Sequence, residues 1–202
     1  KLYPKLLWVA DLRDEINDRK LERRVVEQAH FVSSVSGPIL QDLATRNAPS
    51  AAGKLIEVRN GFDFEPIRSS EVARSRFILV FAGTFYGQSR PELFFEALLR
   101  FTRRRKLSPD QFEFRVMGGN PGLQIPPPLN PFVRVTKRVP YSELPNALAG
   151  CSAFLLILSD LGRRGVYSGK IFDYLAVNRP IVALANPFDV AADLIRDTQG
   201  GY

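Results

Sequence analysis

The 202 residues contain one cysteine, one histidine, one methionine and one tryptophan. A lone thiol, Cys151, excludes an internal disulfide, and with His30 as its only imidazole partner a His/Cys metal site lacks donors. Cys151 precedes an apolar run and reads as a small buried hydrophobe rather than a nucleophile. His30 opens a predicted strand and reads as a satisfied interior residue. No apolar run approaches the roughly 20 residues that span a bilayer. The opening Lys1 to Trp8 is too short and too quickly charged for a secretory signal, so the expected compartment is the cytosol. A P-loop, a Ser/His/Asp set, a D-x-D signature and paired glutamates spaced for hydrolysis are also missing. No repeat of fixed period occurs.

What is present is a core and a charge. Hydrophobic residues make up 45% of the chain and include 15 Phe, enough for one large or two modest domains. Lysine and arginine exceed aspartate and glutamate by 28 to 21, a formal charge of +7, which favours anionic partners: nucleic acid, an anionic membrane surface or a phosphorylated small molecule. The densest basic run, Arg103 to Lys106, ends a predicted helix, where cations offset the helix dipole. It reads as a solvated helix end, with contact to acidic lipid as the alternative. Aromatic residues are not interleaved with these arginines as base-stacking platforms, so nucleic acid is not an expected partner.

Short β-branched or aromatic runs alternate with helical patterns, which implies an α/β fold, a Rossmann-like parallel sheet flanked by helices. The pattern predicts strands at Leu6 to Ala10, His30 to Ser34, Lys54 to Val58, Phe77 to Ala82, Glu113 to Met117, Phe132 to Thr136, Ala153 to Leu158 and Pro180 to Leu184. Helices are expected at Asn17 to Ala29, Gly37 to Arg46, Arg90 to Arg105, Ser142 to Ala149, Gly169 to Val177 and Phe188 to Leu194. Asn60-Gly61 is expected to supply the positive φ of a tight turn. The turn formers and charges from Gly61 to Glu71 mark a boundary.

The chemistry gathers at strand ends. Ser168, Gly169 and Lys170 open a helix whose free amides suit a phosphate, and Asp173 lies one turn deeper, where a carboxylate can accept hydrogen bonds from a ribose diol. An amphipathic helix with a surface Lys and Asp is the plain alternative. Gly83 and Thr84 follow the Phe77 strand, where a glycine lets a diphosphate approach the backbone, and Arg90 is a candidate bidentate phosphate ligand. A strand-to-helix turn with no ligand remains the alternative there. Val116-Met-Gly-Gly-Asn120 repeats the theme weakly. Trp8 to Asp14 runs a strand into Asp11, Arg13 and Asp14; Asp14 orients an acceptor hydroxyl or caps the next helix.

In order, these segments resemble GT-B glycosyltransferases of the retaining family numbered 4. Lys170-Ile-Phe-Asp-Tyr-Leu-Ala, with Pro180 following, is similar to the family's K-x-x-E-Y-L-A-x-G-x-P. Asn60-Gly-Phe-Asp63, the Gly83-Thr84 loop, Val139-Pro-Tyr141 and the Asp11-Leu-Arg-Asp14 edge follow the same series. The resemblance implies the end of an acceptor-side Rossmann-like domain over residues 1–65 and a nucleotide-sugar-binding C-terminal domain over 66–202. It implies a fragment of a longer, bacterial-type enzyme of cell-envelope polysaccharide synthesis. The donor diphosphate would meet Gly83, Thr84, Arg90, Ser168, Gly169 and Lys170, the ribose Asp173, and the base the backbone at Arg138 and Val139. Asp11 and Arg13 would edge the cleft. The implied reaction is metal-independent, cofactor-free, retaining transfer from a nucleoside-diphosphate sugar to a saccharide or lipid-linked acceptor, at most peripheral to the inner face of a membrane. The chain departs from the pattern where a second glutamate stands eight residues before the ribose carboxylate: that position is Gly165. A nucleotide-sugar 2-epimerase and a non-catalytic anion-binding module are the rival readings.

Overall fold

A computed structural model describes residues 6–13, 16–67, 76–85, 91–158 and 164–202. The chain divides into two compact units. The first comprises Lys1–Gly61 with Gly162–Tyr167 and Asp189–Ala191, and the second comprises the remainder.

In the first unit β1 (Val9–Asp11), β2 (Phe31–Ser34) and β3 (Leu55–Glu57) form a parallel sheet in that order, joined through α1 (Arg19–Gln28) and α2 (Gly37–Arg46). Asp18 caps α1, its side chain accepting the Lys20 and Leu21 amides at 2.9 and 3.1 Å, which satisfies donors that the first turn leaves open. Ala10, Val26, Val32 and Leu43 bury the helix-covered face. Val9, Phe31 and Ile56 remain exposed. Glu22 is buried between the two helices and accepts hydrogen bonds from Arg46 and Asn47. Burial pushes its carboxyl up, but those bonds and the charges of Arg46 and Arg19 outweigh it, so the net shift is downward.

The second unit is a five-stranded parallel sheet in the order β6-β5-β4-β7-β8. Its strands are β4 (Phe77–Ala82), β5 (Phe112–Met117), β6 (Val133–Thr136), β7 (Ala153–Ile157) and β8 (Ile181–Leu184). The connecting helices are α3 (Glu92–Arg105), α4 (Leu144–Ala149) and α5 (Gly169–Val177), and α6 (Val190–Asp197) follows β8. Near-continuous apolar runs such as Phe77–Ala82 are what a sheet covered on both faces requires. Phe81, Phe95, Leu98, Phe114, Val116 and Leu155 fill the core beneath α3. From β4 the chain winds outward through β5 to β6, then returns to place β7 on the other side of β4. The order therefore reverses between β4 and β7, and the crevice beyond the strand ends opens there.

Several expectations shift by a few residues, each for a local reason. The strand expected over Leu6 to Ala10 starts at Val9, because the Trp8 amide donates to His30 Nδ1 at 3.0 Å instead of to a ladder. His30 is exposed rather than interior. The helix expected from Phe188 starts at Val190, because the side chains of Asn186 and Asp189 accept the amides of Phe188 and Val190. Neither Asn60 nor Gly61 adopts a positive φ; the Asn60 side chain instead accepts from Arg13 Nη1 at 2.7 Å. Cys151 is buried, and desolvation pushes its thiol up to about 11, the condition of an inert packing residue.

Candidate nucleotide-binding site

The crevice between β4 and β7 is built from backbone first. The Gly83 amide donates to Met117 O at 2.6 Å, locking the loop after β4 onto the end of β5. Gly83 has φ +134°, and a Cβ there would lie 2.5 Å from Lys170 Cε, so glycine makes the room that the lysine occupies. Gly118 at φ +152° backs it from behind, since a Cβ there would meet Gly83 O at 2.5 Å. Asn120 closes the arrangement. Its Nδ2 donates to Gly83 O at 3.0 Å and its Oδ1 accepts the Phe85 amide at 2.7 Å. Thr84 is exposed, with its hydroxyl 3.4 Å from Gly118 O.

Opposite this loop α5 begins. Ser168 is its N-cap and makes no side-chain capping bond; the Ile171 amide donates to Ser168 O at 3.1 Å, and among the described residues the Gly169 and Lys170 amides are left to solvent or ligand. Lys170 folds back over Phe81, its Nζ 5.2 Å from the ring centroid. Among the described residues no carboxylate pairs with that ammonium. Burial alone pushes its pKa below the ordinary lysine value. A half-buried cation without a counter-ion is costly, and an arriving anion relieves the cost.

One turn deeper, Asp173 accepts the Tyr141 hydroxyl on Oδ1 at 2.8 Å, and among the described residues Oδ2 has no hydrogen-bond partner. Burial raises its carboxyl, the Tyr141 bond lowers it and the charge of Asp63 raises it, with the balance upward. Tyr174, the next residue, is fully buried, stacks on Phe154 with centroids 4.3 Å apart and accepts the Ala82 amide at 2.9 Å. That bond ties α5 to the residue immediately before Gly83.

The structure thus brings Gly83, Thr84, Ser168, Gly169 and Lys170 to one crevice, with Asp173 on the same helix. Arg138 and Val139 lie in the loop after β6, the first exposed and the second half-buried, and that loop reaches Asp173 through Tyr141. Asp11 and Arg13 belong to the first unit. There Arg13 Nε donates to Asp11 Oδ2 at 2.6 Å and Ser33 to Oδ1 at 2.8 Å. The Arg13 bond, assisted by Ser33, holds the Asp11 carboxyl below its ordinary value. Asp14 and Arg90 lie outside the described residues; the cap that Asp14 was a candidate for is Asp18, four residues later.

The sequence offers Gly118 and Asn120 only as part of a weak glycine-pair signal, and assigns Tyr174 no role. The Gly-Gly-Asn run after β5 was the signal for the first two, and Tyr174 sat unremarked inside the K-x-x-D-Y motif. Gly165, where the resemblance leads one to look for glutamate, is buried at φ +92°. A Cβ there would lie 2.4 Å from Ser36 Oγ, whose hydroxyl donates to Gly165 O. Position 165 therefore has no room for a carboxylate side chain.

This is a doubly wound α/β unit with a crevice at its switch point, a Rossmann-like arrangement similar to that of GT-B glycosyltransferases. Solved structures with a similar fold include a variant of S. aureus TarM in complex with fondaparinux, α-GlcNAc-glycerol and UDP. It has a TM-score of 0.57 at 12% identity, over 96% of this chain and 40% of that one. Sucrose-phosphate synthase from Thermosynechococcus elongatus matches with a TM-score of 0.55 at 13% identity, over 88% of this chain and 50% of that one. The chain thus spans half or less of the length of these proteins, and at such identities the likeness is one of fold. No family model and no curated protein matches the sequence.

Proposed function

We propose that this chain is the donor-binding part of a glycosyltransferase that moves a sugar from a nucleoside-diphosphate carrier to an acceptor hydroxyl. One observation carries the reading: the Lys170 ammonium is half-buried, unpaired by any described carboxylate and folded against Gly83 at the switch point. A diphosphate supplies the missing anion and also takes the open amides at Ser168, Gly169 and Lys170. In this reading Asp173 Oδ2 accepts a ribose hydroxyl. Charge developing on the leaving diphosphate is stabilised by Lys170 and the helix start, so the reaction needs no metal ion. Retention of configuration follows the family resemblance, and the UDP bound to TarM makes a uridine nucleotide the first ligand to try.

Isothermal calorimetry with UDP and GDP tests the reading. Binding at millimolar or tighter Kd that falls at least tenfold in Lys170→Ala and in Asp173→Ala supports a donor site, a loss of about 1.4 kcal/mol or more. Salt-sensitive binding of any polyanion, undiminished in both variants, identifies a non-catalytic anion-binding module instead.

A further inference from the structure

The outer face of α3 has no part in the crevice. Phe94, Phe95, Leu98 and Thr102 are buried, facing the sheet. The opposite side carries Leu93 and Phe101, 76% and 44% exposed, with Ala97 between them. Arg100 and Arg104 lie along the same stripe, since residues three, four, seven and eleven apart share a helix face. With Glu96 these residues line an open hollow of about 480 Å³. Arg103, Arg105 and Lys106 flank the end of the stripe and are exposed. Among the described residues none of the four arginines from 100 to 105 is held in an ion pair. Phe101 meets Phe112 edge-on at 6.3 Å and Phe112 stacks on Phe77, itself 48% exposed.

We infer that this face of α3 docks on an anionic lipid surface. Five cations against Glu92 and Glu96 leave the face net positive, which complements phosphate headgroups. Exposed Leu93 and Phe101 at the same level as the guanidinium groups gain from entering the headgroup boundary, the combination that distinguishes an interfacial helix from a merely charged one. A polyphosphate such as RNA would make no use of Leu93. Among the described residues no helix is long and apolar enough to cross a membrane, and the contact inferred for α3 is one of a surface-lying helix.

Vesicle co-sedimentation of the chain tests this, with phosphatidylcholine alone and with phosphatidylglycerol mixed in, at low and high salt. The expected result is binding to the mixed vesicles only, weakened by salt. The R100Q/R104Q double variant should bind roughly 25-fold more weakly, from about fivefold per arginine. Leu93→Glu should lose binding comparably, and the melting temperature should not move in either variant. Absence of binding to mixed vesicles, or binding unchanged in both variants, overturns the proposal. So does Leu93→Glu leaving vesicle binding intact while single-stranded RNA competes for it, which would assign the face to nucleic acid. UDP binding by the same variants is a separate measurement, and its outcome bears on the crevice alone.

Discussion

Lys170 sits where an ammonium group is worst served by the protein alone: over an aromatic ring, beside backbone, without a described carboxylate. Its folded pKa is depressed by burial from an ordinary 10.5. Between the depressed value and the ordinary one the unfolded chain holds more protons than the folded chain, so stability rises with pH across that window and is lower on the acid side. Lys170→Met keeps the stem and removes the charge. It should raise neutral-pH stability by about 1 kcal/mol, a Tm gain of roughly 2–4 °C, while abolishing UDP binding. Differential scanning calorimetry with and without UDP reads both effects. A variant less stable than its parent would show that the ammonium already has a partner. Tyr141 acts on the other polar group. Its hydroxyl stabilises the ionised form of Asp173, so Tyr141→Phe should raise that carboxyl further. If ribose is held by the carboxylate, UDP binding by Tyr141→Phe should fail at a higher pH on acidification than binding by the parent. Titrations from pH 4 upward check the order of the two curves.

At the scale of elements, α5 shows how a motif encodes geometry. Its C-cap, Asn178, has φ +58° and ψ +52° and is exposed, so its backbone rather than its packing sets the cost of substitution. The related pattern K-x-x-E-Y-L-A-x-G-x-P has glycine at this place, the residue that tolerates the left-handed conformation best. Asn178→Val should destabilise by about 1–2 kcal/mol. Asn178→Gly should stay within roughly 0.5 kcal/mol of the parent, and thermal melts of the pair distinguish a backbone cost from any side-chain role. The same helix was legible in the sequence to the residue, as were β4 and α2, because buried periodicity and a defined stop signal coincide in each. β1 and α6 were displaced because their edges are decided by single side-chain hydrogen bonds, from the Trp8 amide to His30 and from backbone amides to Asn186 and Asp189. Periodicity carries no trace of such bonds. Of the residues that line the candidate crevice, Lys170, Gly83 and Asp173 were singled out by motif spacing. Asn120 and Tyr174 were not, because their roles depend on which loop ends lie side by side at the switch point, and only the strand order β5-β4-β7 fixes that.

For the whole molecule, two compact units and one proposed crevice make a spatial prediction. Among the described residues, the hydrogen bonds that shape the crevice, from Gly83 to Met117, Asn120 to Gly83, Ala82 to Tyr174 and Tyr141 to Asp173, lie within the second unit. A ligand that binds only the folded form stabilises it by about 2.7 kcal/mol at a hundred times its Kd, and that free energy appears as slower amide exchange where the opening is coupled to the site. Hydrogen–deuterium exchange with saturating UDP should therefore slow at Gly83, at Ser168 to Ile171 and along β4. The amides of α1 and α2, whose stability rests on the Glu22 network with Arg46 and Asn47, should exchange as before. Protection spread evenly over both units would mean that nucleotide stabilises the chain globally. Protection confined to α1 and α2 would move the binding site out of the second unit and away from Lys170.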